Sequence, residues 1–223
     1  MKKILILGAG IYQVPLIKRA KAMGLYTIVA SIPGNYPGFE IADKVYYENT
    51  TDFEAILRVA KEEKIDGIVT AGSSSGRNDG AAAVLLMSAE KAEELGYKPL
   101  VKIRAIAEAG VDPRIMGMGP VPATAKALRL AGLKLEDMGL IELNEAFAAQ
   151  SLGCIKEMGL EDKMDIINVN GGAVALGHPI GCSGVRILVT LIHEMKKRGT
   201  KYGLATLCVA GGMGMATIVE NCD

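Results

Sequence analysis

Two histidines and four cysteines are the side chains of this 223-residue chain best suited to moving a proton or attacking a carbonyl carbon. His178 lies within Gly171-Gly172-Ala173-Val174-Ala175-Leu176-Gly177-His178-Pro179-Ile180-Gly181. Pro179 restricts His178 to extended geometry and the glycines let backbone approach a ligand, so this imidazole is carried by a loop rather than by a packed helix face. From spacing alone, two readings stand side by side: a structural turn with an incidental histidine, and a site that holds a base. His193 falls near the basic end of an amphipathic helix and reads as a surface residue or a partner of the helix dipole. Cys208 closes an apolar run and is followed by Val209-Ala210-Gly211-Gly212, which puts a thiol at a strand end beside free backbone amides. Such a thiol suits proton transfer or oxyanion contact, and it equally suits an inert small hydrophobe. Asn144-Glu145 follows a strand and opens a helix, where Asn144 reads first as the cap of the helix amides. Cys154, Cys182 and Cys222 form no short paired motif, so neither a metal centre nor a thioredoxin-type pair is expected, and reduced thiols are the default.

The elements that must carry these residues alternate. Residues 2–7 form an apolar strand running into Gly8-Ala9-Gly10, and 14–23 have helical periodicity with a basic outer face. Strands follow at 26–30, 44–47 and 65–70, with a helix over 52–63 capped by Thr51 or Asp52. After a small-residue loop at 71–80 come a strand over 81–87 and a helix over 89–95 ending at Gly96, with a boundary near Lys98-Pro99. The alternation then restarts, with strands at 100–109, 140–143, 166–169, 203–208 and 214–219 and helices at 122–131, 144–158 and 182–197. These patterns predict an α/β protein with mixed, mainly parallel sheets: a Rossmann-like hybrid domain over 1–98 and a βαβαβαββ domain over 99–223, whose last two strands are antiparallel neighbours.

Composition narrows the partners. Lysine plus arginine equals aspartate plus glutamate at 25 each, so no overall field draws nucleic acid or an anionic membrane. The apolar run Ile4 to Ile6 meets glycines too early for a signal-peptide core and is far too short to span a bilayer, which predicts a cytoplasmic protein.

Asn144-Glu145-Ala146-Phe147-Ala148, the His178 loop from Gly172 to Gly181, and Cys208 with its trailing glycines resemble, in the same order, the three C-terminal signature blocks of thiolases. The resemblance extends through Val69-Thr70-Ala71-Gly72, Asn78-Asp79-Gly80-Ala81-Ala82-Ala83 and Gly119-Pro120-Val121-Pro122-Ala123, about two thirds of the chain from residue 69 to 223. It implies acyl transfer between thioesters, with acyl-CoA as substrate and no bound cofactor. It also implies roles for residues. His178 would deprotonate a nucleophile and help bind the thioester oxygen, Cys208 would exchange a proton with the substrate α-carbon, and Asn144 would hold a water in an oxyanion hole. Ser75 and Phe147 would touch the pantetheine arm, and Gly177 and Ala210 would line the substrate. Thiolases pair through their front domain, so a homo-oligomer is implied as well.

Two departures qualify the resemblance. The family's acyl-accepting cysteine lies in its N-terminal half, whereas no cysteine precedes Cys154 here, so ping-pong transfer loses its first step. Ala210 replaces a glycine whose amide completes the second oxyanion hole of the family. Residues 1 to about 70, with Ile6-Leu7-Gly8-Ala9-Gly10, Gln13, the loop Ile32-Pro33-Gly34-Asn35-Tyr36-Pro37-Gly38 and Ala42-Asp43, resemble instead the N-terminal domain of ATP-grasp ligases. Gln13 stands where a dinucleotide fingerprint has its third glycine, which argues against NAD. The expectation is a hybrid of two α/β halves joined through a shared strand near residues 69–72, with thiolase chemistry impaired. The alternatives are a non-catalytic scaffold of chimeric or designed origin, or a small-ligand or nucleotide-binding module.

Overall fold

The computed structural model describes residues 1–11 and 13–222, and the side chains of Val69 and Ala71, inside the Val69-Thr70-Ala71-Gly72 segment, lie outside the described residues. The chain divides into two compact units, Met1–Ser73 and Ser74–Asp223.

The first unit contains β1 (Lys3–Leu7), α1 (Val14–Ala22), β2 (Tyr26–Ser31), α2 (Pro37–Ile41), β3 (Lys44–Tyr47), α3 (Phe53–Glu63) and β4 (Gly67–Val69). Its sheet has the order β3-β2-β1-β4 with every pair parallel. Alternate apolar residues of the central strands bury opposite faces: Leu5 and Ile28 pack on Ile56 and Val59 of α3, while Ile6 and Val29 pack on Ala9 and on Ile17 of α1. Asp52 caps α3 by accepting from the Ala55 amide at 3.1 Å. The five-residue α2 escapes sequence reading because it is built on proline and glycine, and Gly38 is needed there because a Cβ would lie 2.6 Å from the Ala9 carbonyl oxygen.

The second unit contains α4 (Ala89–Glu94), β5 (Val101–Gly110), α5 (Pro120–Ala131), β6 (Leu140–Leu143), α6 (Ala148–Glu157), α7 (Ala173–Leu176), α8 (Ser183–Arg198), β7 (Tyr202–Val209) and β8 (Met213–Asn221). Its sheet runs β5-β8-β7-β6, with β6 and β7 parallel and β8 antiparallel to both of its neighbours. Ile141, Leu143 and Leu204 face the core that holds Ala123 and Ala127 of α5 and Cys154 of α6. Leu140 and Ala205 face Ile187, Leu191 and Met195 of α8. The mixed α/β class with mainly parallel pairing in the first sheet and an antiparallel closing pair in the second is the one expected from the sequence.

Four local expectations are corrected. Residues 81–87 form no strand, and Leu85 and Leu86 are 76% and 67% exposed, because an apolar β-prone run becomes a strand only where a neighbouring edge completes its ladder. The run 166–169 contributes one bridge, Ile141 to Ile167, since Asn168 turns into the left-handed region at φ +47°. The helix expected from 144 begins at Ala148. Among the described residues the two sheets share no strand, because β4 runs into a 3-10 turn at Ala71–Ser73 instead of continuing into a common ladder. No helix among the described residues is long and apolar enough to cross a membrane.

Candidate functional site

Asn168 is the hub that positions the chemistry-bearing segments. Its Oδ1 accepts from the Leu143 amide at 2.9 Å, and its Nδ2 donates to the Leu143 carbonyl at 2.8 Å and to Glu145 Oε1 at 3.0 Å. A side-chain amide thus takes the place of the missing strand partner at the end of β6. Glu145 in turn accepts from the Val174 amide at 3.1 Å, which ties the turn after β6 to the glycine loop. The contact demands glycine at 172, where a Cβ would lie 2.0 Å from the Glu145 carboxyl carbon. Asn168→Ala removes three hydrogen bonds at about 1 kcal/mol each. A loss of about 3 kcal/mol in denaturant unfolding is the expected result.

The extended segment from Ser74 to Asn78 stitches the same two regions from the other side. Ser75 donates to the Ala146 carbonyl from its amide and its hydroxyl, both at 3.0 Å, and Ser74 bridges to Phe147. The His178 amide donates to the Gly76 carbonyl at 2.9 Å and to Asn78 Oδ1 at 3.3 Å. Gly177 adopts φ +94°, and a Cβ there would lie 2.2 Å from Asn78 Oδ1, so the chain before His178 must be glycine on both counts. Ser75, Asn144, Phe147, Gly177 and His178 are therefore carried on segments bound to one another. Phe147 is 44% exposed.

The tautomer of His178 follows from its partner. Its Nδ1 lies 2.6 Å from Ser183 Oγ, and that hydroxyl gives its single proton to the Pro179 carbonyl at 3.1 Å. Nδ1 is accordingly assigned as the donor, which leaves the Nε2 lone pair available as a base. Burial, and secondarily the Arg186 guanidinium, hold the imidazole below its usual titration range. It is uncharged near neutral pH.

Asn144 is 1% exposed, and both polar atoms of its amide lack a hydrogen-bond partner among the described residues. It is not the helix cap that its position after a strand suggests, for Phe147 occupies the cap position of α6. Its own amide donates to the Thr206 carbonyl at 3.0 Å, which extends the β6–β7 ladder to within two residues of Cys208. A buried amide with nothing to bond is free to take a water or a carbonyl oxygen.

Cys208 is buried at the end of β7, paired across the hairpin with Gly214. Burial raises its thiol above the ordinary range, and burial likewise pushes Cys154 up to about 11. Both are thiols rather than thiolates at neutral pH, poor nucleophiles but serviceable proton donors. No hydrogen bond joins Cys208 to His178 or Asn144 among the described residues. Ala210 is exposed on the hairpin, whose left-handed positions are Gly211 at φ +90° and Gly212 at φ +91°, so an alanine at 210 introduces no backbone strain.

Sequence reading did not single out Asn168, Asn78, Ser183 or Arg186, nor the buried Glu142. The signal for Glu142 was present, as a carboxylate inside the apolar run Leu140-Ile141-Glu142-Leu143. The other four become visible only once the loops are brought together.

Comparison with known proteins places this arrangement. Residues 97–221 match the family described as Thiolase, C-terminal domain. The chain is 60% identical over 167 residues to an acetyl-CoA acetyltransferase of Syntrophomonas wolfei, covering 75% of this chain and 42% of that protein. It is 53% identical over 175 residues to a 3-ketoacyl-CoA thiolase of Bacillus subtilis, covering 78% of this chain and 44% of that one. The crystal structure of the Bacillus anthracis acetyl-CoA acetyltransferase superposes with a TM-score of 0.68 at 55% identity, over 70% of this chain and 39% of that chain. Human mitochondrial 3-ketoacyl-CoA thiolase in complex with CoA gives a TM-score of 0.68 at 48% identity, over 70% and 39%. The chain spans less than half the length of these relatives. The Asn144, His178 and Cys208 segments fall within the matched stretch, and the chain that carries them belongs to the thiolase family.

Proposed function

We propose that the chain is a thiolase-like protein that binds acyl-CoA thioesters but is impaired in thiolysis and condensation. The observation that carries this reading is an uncharged, loop-held His178 and an unpartnered buried amide of Asn144, on segments that the Ser75–Ala146 and His178–Gly76 backbone bonds tie to one stretch of chain, in a chain with no cysteine in its first 153 residues. A thioester oxygen and a water are the groups these two side chains are equipped to hold. Cys208, kept protonated by burial, is suited to exchanging a proton and not to accepting an acyl group. The residual reaction is slow hydrolysis. His178 Nε2 takes a proton from water, the water oxygen bonds to the thioester carbon, the carbon–sulfur bond breaks, and CoA leaves as its thiol with that proton. Ser75, Phe147, Gly177 and Ala210 contact the substrate in this reading, and copies of the chain self-associate.

Residues 1–70 belong, in the same proposal, to a segment like the N-terminal domain of ATP-grasp ligases, which makes the chain a hybrid. Its support is a self-contained parallel sheet in the order β3-β2-β1-β4 with the Gly8 turn at φ +95°. The Gln13 side chain packs over that turn, with its Nε2 3.1 Å from where a Gly8 Cβ would sit.

Incubation with acetyl-CoA and acetoacetyl-CoA, followed by intact mass and thiol release, is the test. A raised melting temperature with CoA, slow thiol release and no acylated protein are expected. An acyl adduct formed at the rate of turnover would sink the reading.

A further inference from the structure

Between Asp79 and Glu90 the chain carries no charge, and every residue from Ala81 to Met87 is exposed. Among the described residues no backbone hydrogen bond joins residues 81–87 to another part of the chain, and no ladder or bridge includes them. Both ends of the run are nevertheless fixed. Gly80 packs on the His178 loop, where a Cβ would lie 2.9 Å from Pro179 Cγ, and Ser88 caps α4 by accepting from the Lys91 amide at 3.2 Å. The apolar middle is a pinned segment whose N–H and C=O groups are open to pairing as a strand.

We propose that residues 81–87 are the surface through which two copies of this chain associate: the run of one copy pairs as an antiparallel strand with the same run of the other, across a two-fold axis at Leu85. The inference rests on the self-association in the proposed function and gives it a place, and it involves neither CoA binding nor thiol release.

Area, shape and charge favour a second copy as the occupant. Seven consecutive residues that leave bare roughly 500 Å² of apolar surface stand at the upper end of what a monomer exposes. With the exposed flanks 77–80 and 88–91 as a polar rim, the surface approaches the ~800 Å² that each partner brings to a stable interface. The side chains grow along the run, from alanine at 81, 82 and 83 to Val84, Leu85, Leu86 and Met87. Antiparallel pairing about Leu85 sets Ala83 opposite Met87 and Val84 opposite Leu86, so the smaller meets the larger on either side of the axis. Parallel pairing in register would instead set each bulky residue against itself. Since the run holds neither a charge nor a proline, two identical copies of it meet without repulsion and without a break in the ladder.

Sedimentation velocity of the full chain without substrate, across the micromolar range, reads the association, and a dimer is expected. Leu85→Lys sets two like charges face to face at the axis and removes two apolar side chains from the interface. It should raise the dimer dissociation constant about 100-fold or more. Leu130→Lys, at an exposed position of α5, should leave that constant unchanged. A second variant reads the register. Directly opposed residues of an antiparallel pair have Cα atoms about 4.5–5.5 Å apart, within the range of a disulfide. Leu85→Cys in a Cys222→Ser background should therefore give a covalent dimer with oxidised glutathione as the electron acceptor, because the remaining cysteines are buried. Leu130→Cys in the same background should not. Should Leu85→Lys not fold, Leu85→Cys decides alone. A monomer at every concentration removes self-association and this interface together. A dimer that persists in Leu85→Lys, or that Leu85→Cys fails to cross-link, overturns this interface and leaves self-association standing.

Discussion

His178→Ala is expected to lower the rate of thiol release from acetyl-CoA by ~10²–10⁴-fold, the contribution of one well-placed general base. The argument depends on the tautomer. With Nδ1 donating to Ser183 and the Ser183 proton committed to the Pro179 carbonyl, Nε2 is the nitrogen left to accept a proton from water. The effect should fall on kcat more than on KM, since the imidazole contributes to bond making more than to holding the CoA arm. Thermal melting in the presence of CoA provides the control: a variant that still binds CoA but no longer releases thiol isolates the base from the fold. Equal rates for the variant and the parent chain would remove His178 from the chemistry. Cys208→Ser offers a contrasting case, because a hydroxyl at the end of β7 keeps the size of the side chain while changing its acidity. Its effect on hydrolysis should be smaller, as no step of that reaction requires a sulfur.

Gly214→Ala is expected to be the most damaging small substitution for stability, at roughly 3 kcal/mol or more. A Cβ at 214 would lie 2.0 Å from both the carbonyl carbon and the oxygen of Gly119, and a Cβ at 119 would lie 2.3 Å from the Met213 oxygen. Here backbone meets backbone at the start of β8 and the entry to α5, so no flexible side chain can swing aside. Gly214 is also the cross-strand partner of Cys208, so the displaced strand should disturb the thiol as well as the core. Chemical denaturation measures the loss, and a midpoint within about 0.5 kcal/mol of the parent chain would mean that the two backbones have slack that their packing conceals. Gly199→Ala supplies the reference, since that residue closes α8 at φ +65° with open space around its missing Cβ. Its cost should be limited to about 1 kcal/mol of left-handed strain.

The two substitutions probe different parts of one arrangement. The second sheet fixes β7 and β6 against α8, and the glycine contacts allow backbone to approach backbone closely enough for loops at their ends to lock together. The turn after β6 then holds Asn144, whose amide atoms have no hydrogen-bond partner among the described residues. In a chain of this kind stability resides in the sheet and its helices.

Much of the architecture follows from local pattern. The alternation of apolar runs with helical periodicity is enough to place β3 and β6 at their observed bounds and to fix the α/β class, because strands buried on both faces and amphipathic helices have distinct periods. The thiolase relationship is legible for a different reason: the Asn144, His178 and Cys208 segments stand in one order along the chain. Tertiary structure alone decided the rest. Among the described residues the run 81–87 has strand composition and no partner strand, the run 166–169 gave way to a single asparagine side chain that does the work of a strand edge, and Asn144, so placed as to suggest a helix cap, is left with its side-chain amide unbonded. Each outcome depends on groups far apart in sequence, Asn168 on Leu143, Asn78 on Gly177, Arg186 on Glu142. A one-dimensional pattern records how a segment would fold if its neighbours were supplied, and only the folded chain determines whether they are.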